Sequence, residues 1–406
     1  MLSLRTKIVL RLSGLVLIVG LVGVILIYVA FQGAPTVTPD VTTPIVDTTT
    51  PETLPGSDAS DLIDRPISPE EDTGGLPVSD VAEGGPVLTV QLTSSSIVSP
   101  TLVNGGEISY YDNRDGRFYT INKSGDVTAL SDNSFPAASS VVFSESGSQA
   151  IIEFPDGSNI IYDFVTEKQT TLPSHWQDFA FSQNGSEVAG KSIGVDPNNR
   201  ALVITSADGS KTQVVASLGT NANNVSVQFS PSGEIVAFSE TGSAQSAFGR
   251  NEVYLIDRQG EAAGSLIVDG AKFAGSWSPD GVHLLYSTAD SYNERPTLWY
   301  TVGYGNNIGA ERIKIPLETW VEKCTFKDAA IAICAVPRTM VDHGGFDHRL
   351  VTAYDDVYQL NVTTGRSTLV GSPVSNVQMS NLNISDDGSI LYFTDNFGRL
   401  NSMRLK

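Results

Sequence analysis

Basic residues are scarce in this sequence. Lysine and arginine number 25 against 45 aspartates and glutamates, for a formal net charge of −20. Such a surface repels phosphate backbones, which excludes nucleic acid as the expected partner. Charged residues of both signs make up only 17 % of the chain, whereas glycine numbers 37 and proline 20. Strong helix formers are therefore thin and turns frequent, which points to an all-β protein of many short strands. Only two cysteines occur, Cys324 and Cys334, too few for a structural zinc site of the usual kind. Histidine is rare for a chain of this length, at His175, His283, His343 and His348.

Long apolar runs are absent except at the start. Arg5, Lys7 and Arg11 precede twenty uncharged, mostly apolar residues from Leu12 to Phe31. Twenty residues at ~1.5 Å each cover a hydrocarbon core of ~30 Å. Gln32 stands where a cleavage site needs a small residue, so residues 1–33 are expected to be a retained single-pass anchor. No further Lys or Arg appears until Arg65, which predicts a cytoplasmic N-terminus and an extracytoplasmic remainder, periplasmic or at the cell surface. Residues 34–86 hold nine of the twenty prolines and eleven acids against one arginine. That composition cannot bury enough apolar area to offset ordering entropy, and predicts a disordered spacer.

From residue 87 onward one phrase recurs. It reads "LVNGGEISYY" from Leu102, "FSESGSQAIIEF" from Phe143, "FSQNGSEVAGKS" from Phe181 and "FSPSGEIVAFSE" from Phe229. It continues as "WSPDGVHLLYST" from Trp277, a degenerate "FKDAAIAICAV" from Phe326 and "ISDDGSILYFTD" from Ile384. Anchors spaced by 41, 38, 48, 48, 49 and 58 residues predict a seven-bladed β-propeller over 87–406, with four strands per blade. The aromatic ends an inner strand, and the glycine supplies the positive φ of a tight turn. The last unit stops after its third strand. Val87–Thr93 is the expected donor of the missing outer strand, which would close the ring.

"FSPSGEIVAFSE" and "WSPDGVHLLYST", followed by "EVYLIDRQG", resemble the repeats of TolB-type propellers and of the N-terminal propeller of prolyl oligopeptidase-type peptidases. The resemblance covers most of 95–406. It implies the fold and an envelope-assembly or maintenance setting; propellers host many functions, so it implies no activity. No hydrolase domain follows the repeats, so peptidase activity is not expected of this chain.

Two catalytic patterns overlap in "GSEVAGKSIG", residues 185–194. Gly185, Gly190, Lys191 and Ser192 fit a phosphate-binding loop, and Gly190, Ser192 and Gly194 fit a nucleophile elbow. Both need a helix directly after the strand. The repeat register places this stretch in the second strand of blade 3, followed by Pro197 and paired asparagines, so neither is expected. Cys324 and Cys334 fall on the two strands of the blade 6 hairpin, nearly opposite, and are expected to form a disulfide that braces that blade. The four tryptophans fall at strand positions and are expected in the core. Asn122, Asn184, Asn224, Asn361 and Asn383 begin Asn-x-Ser/Thr sequons, which matter only in a glycosylating host.

Long loops between second and third strands are predicted in blades 3 to 6 only. They would build a one-sided, positively charged rim offering Lys191, Asp196, Asn199, Arg200, Phe248, Arg250, Tyr292, Arg295, Phe346 and His348. The expected function is a non-enzymatic binding module for a protein or an envelope polymer, with no cofactor. The alternative is a metal-dependent hydrolase or lyase on the same face, drawing on His343 and His348 of "DHGGFDH". A spacer without any ligand is the third reading.

Overall fold

The computed structural model describes residues 77–242 and 249–406. The expected anchor, most of the expected spacer and Phe248 lie outside the described residues. Among the described residues no helix is long and apolar enough to cross a membrane.

The recurring phrase folds as its chemistry requires. In five blades the turn between the first and second strands opens on a serine and closes on a glycine three residues later. Gly147, Gly185, Gly233, Gly281 and Gly388 take φ of 68–72°. Their N–H groups donate to the carbonyls of Ser144, Ser182, Ser230, Ser278 and Ser385 at 2.7–2.9 Å. Each of these buried serine hydroxyls then accepts from the N–H two residues beyond the glycine, at 3.0–3.1 Å. One serine thus satisfies the backbone that the turn would otherwise leave unpaired.

These turns generate seven sheets. Six blades are antiparallel runs of consecutive strands, from Ile97–Val103 in blade 1 to Arg366–Pro373 in blade 6. The apolar core is divided among the junctions. Seven clusters of buried side chains lie one at each contact between neighbouring blades. Aromatics carry much of it: Phe118 packs edge-on against Phe135, Phe143 and Phe164 at 5.1–5.7 Å. Each such ring contributes roughly 1.5–3 kcal/mol on burial. Trp176, Trp277 and Trp320 are buried as expected, while Trp299 is half-buried beneath the Arg312 guanidinium, 4.1 Å from its centroid.

The ring closes with a different stitch from the one the repeat suggested. Val90–Gln91 alone pairs with Leu400–Arg404 as the outer strand of blade 7. Thr93 continues the seam with its hydroxyl, which accepts from the Leu400 N–H at 2.9 Å. Val87 belongs instead with Pro86 to blade 6, where the two residues run parallel to Arg366–Pro373. Val87 is fully buried. It fits because residue 371 is glycine: a Cβ there would come within 2.8 Å of Val87 Cγ1. The folded head therefore reaches back to Ser79, which bridges to Val87, and to Ala82, which is buried and bridges to Leu405. In blade 6, Cys324 and Cys334 are paired in the ladder and joined by a disulfide.

Candidate functional site

"GSEVAGKSIG" lies where the repeat register put it. Glu187–Ser192 is the second strand of blade 3. A three-residue turn of helix, Pro197–Asn199, comes next, before the third strand Ala201–Ser206. Lys191 and Ser192 are paired within the sheet. Neither a phosphate loop nor a nucleophile elbow is formed.

The long loops of blades 3, 5 and 6 rise from one face; most of the blade 4 loop lies outside the described residues. The longest, 338–354 in blade 6, leans onto blade 5. His343 N–H donates to the Asn293 carbonyl at 2.9 Å, and Gly345 N–H to the Glu294 carbonyl at 2.6 Å. Gly345 is required here, because a Cβ would collide with the Glu294 carbonyl. The Gly345 carbonyl in turn accepts from Trp320 Nε1 at 2.9 Å. Backbone contacts thus fix the loop at its middle; Val341, Phe346 and Leu350 stay exposed while Val351 is buried.

The expected rim residues divide into three groups. Lys191 is not on the rim. It is 4 % exposed, and its ammonium donates to the carbonyls of Ala222 and Val225 at 3.0 and 2.9 Å and pairs with Asp178. Those carbonyls belong to the crossing into blade 4, so Lys191 ties two blades together. Asp196 and Asn199 are exposed, but Asp196 caps its own short turn by accepting from Asn198 N–H, and Arg200 Nε donates to the Gly194 carbonyl. The remaining described residues gather on blades 4 to 6. Arg250 and Phe346 line one cavity of about 240 Å³. Phe346 and His348 line a second, of about 340 Å³. Tyr292 projects nearby, 94 % exposed, and Phe346 is 42 % exposed.

The rim is not the free positive surface expected. Arg250 pairs with Asp269 at 3.0 Å, and Arg295 with Asp342 at 2.8 Å and Glu318 at 3.3 Å. A chain with this excess of acid supplies a carboxylate within reach of each of these guanidinium groups. What the face offers instead is apolar surface. Val195, Tyr292, Val341, Phe346, Leu350, Tyr354, Val374 and Phe397 are all exposed, and all lie in loops of this one face. Leu350 and Tyr354 carry no signal of their own in the sequence, where the "DHGGFDH" histidines are the conspicuous residues of the same loop.

The histidines do not gather. His343 Nδ1 lies 2.5 Å from Glu294 Oε2, while His348 lies edge-on to Trp320 with ring centroids 6.1 Å apart. Among the described residues no three His, Cys, Asp or Glu side chains converge as metal ligands. The cavity that holds His348 also draws on Lys272, Ser287 and Glu322, which loop length alone does not reveal. Lys272 and Glu322 stand near the crossings between blades, which emerge on the same face. A larger cavity of about 450 Å³ opens on the tight-turn face, around the channel, between Leu102, Phe143, Phe181 and Phe229.

Known proteins agree with the fold. The structure is similar to an oligogalacturonate lyase in complex with manganese, with a TM-score of 0.53 at 11 % identity, over 78 % of this chain and 92 % of that one. It is similar to the β-propeller domain of Cps50 (Swd1) from Myceliophteria thermophila, with a TM-score of 0.52 at 11 % identity, over 79 % of this chain and all of that one. No family model matches the sequence, and no curated protein matches it. Likeness at this identity is likeness of fold, and the chain is a seven-bladed β-propeller.

Proposed function

We propose that this propeller is a non-enzymatic binding module that docks a protein on its long-loop face. The carrying observation is the exposed apolar surface of the blade 5 and blade 6 loops. Tyr292, Phe346 and Leu350 stand out from loops whose backbones are clamped together at Gly345. Exposed aromatics on a rigid base lose little entropy when a partner covers them, and such residues dominate interface energetics. The arginines, already paired to acids, suit a polar rim around that patch. The TolB-type character of the repeats supports an envelope setting. The apolar run Leu12–Phe31 supports a single-pass anchor that holds the head outside the cytoplasm. The Cys324–Cys334 disulfide fits the same side of the membrane.

The test is quantitative co-purification of the full chain from its native envelope fraction. A Tyr292→Ser, Phe346→Ser, Leu350→Ser triple variant is compared with wild type and with a Val165→Ser, Val282→Ser control on the opposite face. A protein partner is expected to fall at least ~30-fold with the triple variant, the effect of losing one ~2 kcal/mol hot spot, and to survive the control. Equal recovery across all three chains would remove the docking face from consideration.

The alternative, a metal-dependent hydrolase or lyase on this face, draws support from the name of one structural neighbour and little from the side chains. His343 and His348 serve different neighbours. Stoichiometric zinc or manganese in the full chain that disappears in a His343→Ala, His348→Ala variant would favour it.

A further inference from the structure

The cavity of about 340 Å³ between blades 5 and 6 is a different kind of site from the apolar face beside it, and stands whether or not that face docks a protein. Its floor is Trp320, locked by its hydrogen bond to Gly345. Around it stand Lys272, Ser287, Glu322, His348 and Arg349. Arg349 is committed to Asp347 through Nε and Nη2, at 2.7–3.2 Å. The others are not.

Lys272 makes no side-chain hydrogen bond among the described residues; its nearest electrostatic partner is the Glu240 carboxylate, which accepts from Phe273 N–H at 3.2 Å. Its placement is built rather than incidental. The inner strand of blade 5 carries a bulge between Ala271 and Ala274, and Lys272 takes a left-handed φ of 58°. Gly270 just before it permits the approach to blade 5, since a Cβ there would collide with the Ala289 carbonyl. A bulge re-aims a side chain, and a left-handed lysine costs about 1 kcal/mol or more. His348 has its ring against Trp320 and no hydrogen-bond partner for either nitrogen among the described residues. Burial, and then the Lys323 and Arg349 charges, hold its pKa below the ordinary histidine range, so the imidazole is neutral at pH 7 and offers one donor and one acceptor. The Glu322 carboxyl reaches only its own backbone, and desolvation in the crowded mouth raises its pKa. Ser287 Oγ accepts from Val321 N–H at 3.1 Å and keeps its own proton to donate.

Beyond its electrostatic contact with Glu240, the Lys272 ammonium has no hydrogen bond of its own and can take a carboxylate as partner. His348, Ser287 and the Glu322 carboxyl beside it can exchange hydrogen bonds with hydroxyls. A volume of this size suits one small ligand. We propose that this cavity binds a small hydroxylated carboxylate of the sugar-acid class, with its carboxylate on Lys272 and its hydroxyls on His348, Glu322 and Ser287 above the Trp320 floor.

The test is ligand-observed NMR on the full chain with glucuronate, glucose and acetate as probes. Glucuronate is expected to bind at least tenfold more tightly than either control, since glucose lacks the charge and acetate the hydroxyls. Lys272→Met and His348→Ala are each expected to weaken glucuronate at least tenfold. Lys211→Met, in an exposed hairpin turn on the opposite face, is expected to leave it unchanged. Thermal melts verify that each variant is folded. Failure of glucuronate to bind, equal binding of glucose or acetate, or full binding by a folded Lys272→Met chain would each overturn the assignment.

Discussion

The Lys323 ammonium lies 2.7 and 2.6 Å from the two carboxylate oxygens of Asp355, and both side chains are sealed from solvent. Asp355 Oδ2 also accepts from Met379 N–H at 2.7 Å, so one carboxylate joins blade 6 to the start of blade 7. Removing one partner of such a pair leaves an uncompensated buried charge. Lys323→Met is therefore expected to cost about 3–5 kcal/mol in urea unfolding. The double variant Lys323→Met, Asp355→Asn is expected to recover most of that loss, because a neutral amide oxygen still accepts from Met379. A double variant no better than the single one would show that the charge is not the cause. Lys191 solves the same problem with two carbonyls and Asp178. Neither lysine could be assigned from the sequence. A lysine in a long-loop segment reads as surface, and the carbonyls that hold Lys191 come from residues 31 and 34 positions further on.

Inner strands carry a second recurring device, on alternate blades. Ser99, Asp178, Lys272 and Asn381 all have left-handed φ of 49–58°. Each sits in a bulge near the start of the inner strand of blade 1, 3, 5 or 7. The Ser99 side chain makes no hydrogen bond among the described residues. Ser99→Gly is expected to raise stability by up to ~1 kcal/mol, since glycine adopts this φ without penalty. Gly270→Ala is expected to do the reverse and lower the melting temperature by several degrees, about 1 kcal/mol or more. Differential scanning calorimetry of the two variants measures both; a destabilised Ser99→Gly would show that the bulge needs its side chain. The bulges were invisible in the sequence because four different residue types occupy them. The tight turns were legible because a serine and a glycine three apart recur with the same hydrogen bonds in five blades. The Pro86–Val87 strand was not, since two residues carry no period.

At the scale of the molecule, charge sets the response to acid. Desolvation raises the carboxyl pKa values of Glu153, Glu240 and Glu322. Their folded forms hold protons more tightly, so their contribution is complete below the ordinary glutamate value and is lost as pH rises through the folded values. Asp208 is held at about 2 by the Ser206 hydroxyl first and then by Ser210, and Asp347 at about 2 by Arg349. Their contribution is present above the ordinary aspartate value and is lost as pH falls towards the folded ones. Both sets are in place together at about pH 4–5, and acidification also relieves the self-repulsion of a chain of net charge −20. A melting-temperature scan is expected to peak at about pH 4–5 and to fall on either side. A steady rise to pH 8 would contradict this account.

The strap that precedes the ring has a mechanical meaning. Ala82 N–H donates to the Arg404 carbonyl of blade 7, and Gly84 N–H to the Val370 carbonyl of blade 6. Both bonds are met before the chain reaches Val90–Gln91, the pair of residues that completes blade 7. A pull arriving from the N-terminal side is thus spread over two blades and a buried valine before any load falls on the seam. The two-residue seam is thus the last of these contacts to bear load.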